Sequence, residues 1–107
     1  MRVIRTKHIP VHGYAAINLF GIIICRRETR ITRSLIRHEQ IHTRQQVELL
    51  FVFFYILYTA EYLIRIIQYR NLKDAYRNLS FEREAYLHMH DTTYLKHRKL
   101  YAWLREL

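Results

Sequence analysis

Short β-branched and aromatic runs separated by turn residues fill the chain up to residue 26. Residues 2 to 5 read as a strand, Pro10 breaks it, and Gly13 marks a turn before the run 14 to 20. Gly21 then introduces Ile22, Ile23, Ile24 and Cys25, the strongest strand signal present. A hairpin is the economical pairing, with 27 to 31 as a polar turn. Two places are open to the strand 22 to 26. As a sheet edge its free backbone groups would accept an extended peptide as an added strand; as an interior strand it would not.

At Thr32 the pattern changes to helical spacing and runs to residue 50 without Gly or Pro. Thr32 or Ser34 is placed to cap this helix, and Leu35, Ile36 and Ile41 would anchor it on a core. Residues 47 to 69 carry the hydrophobic weight. Their uncharged run lasts only from 49 to 60, short of the roughly 20 residues of a spanning helix, and Glu61 and Arg65 cut any extension. The segment therefore reads as a core helix, with a helix half sunk in a membrane interface as the alternative its tyrosines and flanking arginines keep open. Glu61 and Arg65, four apart, are expected to pair on an exposed face.

A polar connection, 71 to 79, has room for one helical turn. A helix then begins at Ser80, its expected N-cap, and runs to about residue 91. Thr92 or Thr93 would cap a last helix, 94 to 107, with Leu100, Trp103, Leu104 and Leu107 on one apolar face. Strands first and helices after define an α+β fold: a short β-hairpin or small sheet followed by three to four helices. The 107 residues make a single domain, 1 to 107, near the size where one core suffices.

The helix from 32 contains His38-Glu39-Gln40-Ile41-His42, an H-E-x-x-H. Residues four apart share a helix face, so both imidazoles reach one ion while Glu39, one step round, faces an attacking water. Zinc suits such ligands, and a catalytic site takes three from the protein and leaves a fourth position open. The third ligand lies further on. The metzincin pattern would require Gly and His where Gln45 and Glu48 stand, and Glu48 is about 9 Å further along the axis than His42. His88 and His90 remain as imidazole ligands on a later segment.

Downstream, Glu82-Arg83-Glu84-Ala85-Tyr86 reads E-x-x-A-Y. With the H-E-x-x-H helix before it, this resembles the gluzincins, in which a second helix supplies a glutamate in E-x-x-S-D or E-x-x-A-D. The resemblance covers about residues 14 to 90 and is to the minimal, single-domain members. It implies a minimal zincin-like domain with Zn2+ held by His38, His42 and Glu82, Glu84 being the fallback ligand. It places Tyr86 where the family has an Asp, so that a Tyr hydroxyl would have to hydrogen-bond the imidazole instead. The activity implied is peptide-bond hydrolysis by a zinc-activated water, with Glu39 as general base; some such proteins are self-inhibited or change oligomeric state. Tyr86, His88, His90 and Tyr94 are all chemically fit to steady an oxyanion, and spacing does not choose among them.

Charge widens the choice of partners. The formal net charge is +9, from 18 Lys and Arg against 9 acids, which favours anionic surfaces and acidic segments. The basic residues are dispersed and no nucleic-acid-binding pattern accompanies them, so nucleic acid is a disfavoured partner. A peptide or protein substrate, peripheral membrane contact through 49 to 69, and a second copy of the chain are the expected ones. The rival reading is a basic membrane-associated or nucleic-acid-binding protein without catalysis. The lone Cys25 rules out an internal disulfide and is expected as a small core residue. The opening residues lack the apolar run of a signal peptide, so the expected location is cytoplasmic, with membrane association as its variant.

Overall fold

A computed structural model describes residues 3–6, 16–26 and 31–107. The expected break at Pro10, the turn at Gly13 and all but the last residue of the polar turn 27 to 31 lie outside the described residues. The fold is α+β, a small three-stranded sheet followed by helices. Strands β1 (Val3–Thr6), β2 (Ala16–Leu19) and β3 (Ile22–Arg26) lie in the order β1-β3-β2. The hairpin β2–β3 is antiparallel and turns through Phe20 and Gly21, whose φ angles of 52° and 83° match the twist of the paired strands. Strand β1 pairs parallel to β3, Val3 opposite Ile23. The strand 22 to 26 is therefore interior, with β1 on one side and β2 on the other, and is not the sheet edge that would take up a peptide. Its apolar run explains the place: Ile23 and Cys25 are buried, as expected for the cysteine, and both backbone edges find partners.

Helix α1 (Arg33–Glu48) is capped by Thr32, whose Oγ1 accepts from the Leu35 N–H at 3.1 Å. Asn18 fastens the sheet to it. Its Nδ2 donates to the Glu39 carbonyl at 2.8 Å and to Thr43 Oγ1 at 3.0 Å, while Gln46 Nε2 donates back to the Asn18 carbonyl at 3.2 Å.

The chain then bends sharply where no Gly or Pro marks a bend. Helix α1 stops at Glu48, and α2 (Val52–Tyr69) leaves at 111° to it through Leu50 and Phe51, with φ of 54° and 60°. Left-handed backbone at such residues costs on the order of 1–3 kcal/mol each. Tertiary contacts offset it: the Phe51 N–H donates to the Gln46 carbonyl at 2.7 Å, and Phe20 packs against Phe51 and Tyr55 with centroids at 5.5 and 5.3 Å.

Helix α2 is not the core helix its composition suggests. Phe54 is its one buried residue, and Val52, Phe53, Ile56, Leu63, Ile64 and Ile67 are all exposed. Its charged residues turn inward instead. Glu61 pairs with Arg65 at 3.3 Å as expected, but the pair is half-buried. The Glu61 carboxylate also accepts from the Ser80 N–H at 2.7 Å and the Ser80 hydroxyl at 2.6 Å. Thus Glu61, rather than Ser80, caps α4 (Ser80–His88), and a carboxylate at a helix N-terminus is well placed against the dipole. Between them, α3 (Leu72–Arg77) is capped by Asn71. The aromatic core sits under this bend: Phe81 lies 4.9 Å from Phe54 and 4.6 Å from Trp103.

The expected helix 94 to 107 is broken in two, α5 (Tyr94–His97) and a 3-10 turn (Ala102–Glu106). Only Trp103 of the expected apolar face is buried; Leu100, Leu104 and Leu107 are exposed. The cause is Arg98. Its guanidinium takes Glu48 in a fork at 2.8 and 2.9 Å and Glu84 at 2.6 and 3.0 Å, all three side chains being closed off from water. The backbone N–H of Tyr101, at φ 57°, donates to the same Glu48 carboxylate. Continuing a helix would pull Arg98 out of this pocket.

The network carries a pH signature. Burial works to raise the Glu84 pKa, but hydrogen bonds from Arg98, Gln45 and Tyr94 and the Arg98 charge outweigh it and hold the carboxyl below the ordinary 4.5. A carboxylate depressed on folding stabilises the fold above its unfolded pKa and loses that contribution as pH falls through the folded one. The thermal midpoint is expected to drop as pH is lowered below 4.5, and Glu84→Gln to flatten that part of the profile.

Candidate metal centre

Two turns of α1 and the first turn of α4 build the centre. Helical spacing puts His38 and His42 on one face, with ring centroids 4.8 Å apart. The Phe54–Phe81–Trp103 packing seats the start of α4, which presents Glu82 to that face. Glu82 Oε1 lies 3.3 Å from His38 Nε2 and 3.1 Å from His42 Nε2, and the two Nε2 atoms are 3.2 Å apart. Three lone-pair atoms so converge on one point. A tetrahedral ion with bonds of about 2.0–2.1 Å separates its ligand atoms by about 3.3–3.4 Å, so the cluster has the dimensions of one face of such a site. These are also the residues among those described whose ligand atoms gather for an ion, all within 4.8 Å of one another.

The surroundings orient the ligands. Gln45 spends both amide hydrogens elsewhere, on the Phe81 carbonyl at 2.9 Å and Glu84 Oε1 at 3.0 Å. Its oxygen is left to accept from His42 Nδ1 at 2.8 Å. That bond keeps a proton on Nδ1 and turns Nε2 to the centre, as a metal-ligating histidine requires. The Tyr58 hydroxyl, from the inner side of α2, donates to Glu82 Oε2 at 2.9 Å and leaves Oε1 for the ion. Buried His38 Nδ1 and Glu39 Oε2 have no hydrogen-bond partner among the described residues.

The three side chains also attract one another by charge. Burial lowers the His42 pKa, but the Glu82 carboxylate more than offsets this and lifts it to about 9. Burial raises Glu82 in turn, and His42 with the hydrogen bonds from both imidazoles holds it well below the carboxylate range. A cation arriving at Nε2 would take the proton's place. Glu39 goes the other way: burial raises its carboxyl against the pull of His42 and His38.

The candidates from the sequence separate here. His38, His42 and Glu82 meet, with Glu39 buried beside them. Glu84, the fallback ligand, is committed to Arg98, Gln45 and Tyr94. Among the described residues, Tyr86 has no hydrogen bond to an imidazole. Its ring meets His38 edge-on at 4.4 Å, its hydroxyl is engaged by Tyr76, and the Arg77 guanidinium lies 3.6 Å over its other face. The orienting bond to a ligand comes instead from Gln45, which lies one helical turn after His42 and is legible from that spacing. His88 stacks on Tyr94 at 3.9 Å, Tyr94 donates to Glu84 at 2.6 Å, and His90 Nδ1 meets Ser34 Oγ at 2.9 Å. None of these three contacts the triad, which leaves Tyr86 as the oxyanion candidate nearest to it. Tyr58 carries no sequence signal at all.

Protein-family models, curated proteins and solved structures contain no match to this chain. If the cluster holds zinc, Gln45→Leu should keep the three candidate ligands but free the His42 ring, weakening affinity by about 10–100-fold; competition with a chromophoric chelator measures it.

Proposed function

We propose that the chain is a zinc-dependent metallopeptidase of gluzincin type, with His38, His42 and Glu82 as ligands and Glu39 as general base. The observation that carries the reading is the convergence of three ligand atoms from two helices, with Gln45 presetting the His42 tautomer. An ion bound there supplies Lewis acidity, activating water and polarising a scissile carbonyl. Glu39 accepts the proton of the attacking water and hands it to the leaving amine. Its upward-shifted carboxyl suits that exchange, since a base works best when its pKa approaches the working pH. Of the four oxyanion candidates read from the sequence, Tyr86 is the one whose ring lies against His38, and this reading assigns it that role.

The four central side chains are only 3–5% exposed, His42 most and Glu82 least. This is a closed arrangement, and a peptide enters only when part of the cover moves. Low basal turnover that rises on loosening the cover is the expected behaviour, in keeping with self-inhibited members of the group it resembles.

The test is metal content by elemental analysis. About one zinc per chain is expected, lost in Glu82→Ala and retained in Glu84→Gln. A chain that takes up no zinc when the metal is added back ends the peptidase reading.

A further inference from the structure

Helix α2 is amphipathic in the reverse of the usual sense. Its inward side holds the charged pair Glu61 and Arg65, together with Tyr58, which donates to Glu82. Its outward side, followed at 100° per residue, has no charged residue from Val52 to Ile67. Ile56, Leu63 and Ile67 stand in line there at 57%, 58% and 76% exposure, flanked by Val52, Phe53 and Ile64. Eighteen residues make this strip about 27 Å long. A continuous apolar face of that length marks a contact surface.

Charge says what the contact is. Among the described residues only Asp74 and Asp91 are exposed acids, because the others are spent on the metal centre, on Arg98, on the α4 cap or in half-buried positions. Exposed bases flank α2, with Arg44 before the bend and Arg70 and Lys73 just beyond its end. The surface is thus more positive than the net +9 alone conveys. A second copy would bring like charge against like, whereas an anionic bilayer offers both an apolar interior and opposite charge at its surface. No single helix among the described residues is long and apolar enough to cross a membrane, and α1 and α2 reach that length only as a pair bent by 111°. The outward strip suits lying in the interface, not spanning it.

We infer that the outer face of α2 docks the protein on an anionic lipid surface, the helix lying in the interfacial plane. Glu82, held by Tyr58 from the opposite side of α2, then sits about one helix diameter, 10–12 Å, above the lipid. This inference stands on the outer face of α2 and the exposed charges around it, and does not require the metal site to turn over.

The experiment is flotation of the full chain with vesicles of phosphatidylcholine alone and with about one quarter phosphatidylserine, at low and high salt. Binding to the anionic vesicles that weakens with salt, and falls about tenfold or more in Ile56→Ser/Leu63→Ser/Ile67→Ser, is the expected result. All three positions are exposed, so circular dichroism should show the variant folded. A second measurement leaves the strip nearly intact: Ile64→Cys carries an environment-sensitive fluorophore, Cys25 being buried, and its emission should shift to the blue on adding anionic vesicles. Absence of vesicle binding, undiminished binding by the triple variant, or an unshifted fluorophore each overturns the inference. A concentration-dependent dimer abolished by the triple variant, with no vesicle binding, also overturns it and assigns the face to a second copy.

Discussion

Under the proposed peptidase function, Glu39→Gln is expected to take up zinc as the unmodified chain does and to hydrolyse peptides about 10²–10⁴-fold more slowly. The exchange keeps the shape and removes the lone pair that takes a proton from water. It also removes a carboxylate that is buried with one oxygen unpartnered and that burial already pushes toward its neutral form. The folded chain should therefore lose no stability, which separates a catalytic defect from a structural one. Zinc content, thermal midpoint and turnover of an internally quenched peptide mixture are the three readings. Hydrolysis that survives the change would mean that another group is the base.

Arg98→Leu is expected to destabilise the fold by about 3–5 kcal/mol, read as a shift of the urea midpoint. The loss comes less from the ion pairs themselves than from what remains. Glu48 and Glu84 would be left buried, facing each other and without their cation. Two such carboxylates share a proton rather than both ionise, so their pKa values rise in the folded variant. A group raised on folding destabilises increasingly as pH climbs, so the defect should be larger at neutral pH than near 4.5. A defect independent of pH would show that lost packing, not charge, is the cause. Because Gln45 leans on Glu84, the variant should also bind zinc more weakly, by loosening the contact that orients His42.

Much of the centre is legible in the chain itself. Helix periodicity is a local property, so His38, Glu39 and His42 must share a face once the segment is helical. The Thr32 cap and the strand 22 to 26 are equally local, set by side-chain hydrogen bonding and β-branching. Glu82 is reached by a shared pattern rather than by periodicity, and its meeting with the histidines depends on how the Phe81 ring packs on Phe54 and Trp103.

The pattern misleads where a charged residue is taken to face water. Glu61 and Arg98 each find buried partners far along the chain, and each reorganises its neighbourhood: Glu61 takes over the cap of α4, and Arg98 breaks the final helix. With Arg65 and Glu61 turned inward, the apolar side of α2 is left outside. The bend at Leu50 and Phe51 has the same origin. Strained backbone without glycine persists only when surrounding contacts over-determine it, and those contacts involve Phe20 on the hairpin.

Spacing along the chain is thus enough for the two histidines, Glu39 beside them, the strand 22 to 26 and the α+β order, but not for that strand's interior place. Long-range packing is needed for the third ligand's arrival, the Gln45 and Tyr58 contacts, the inside-out α2 and the broken end. The division follows from desolvation. Helix and strand faces are set by bonds within a few residues, whereas the cost of burying a carboxylate or guanidinium depends on which partners the completed fold brings to it.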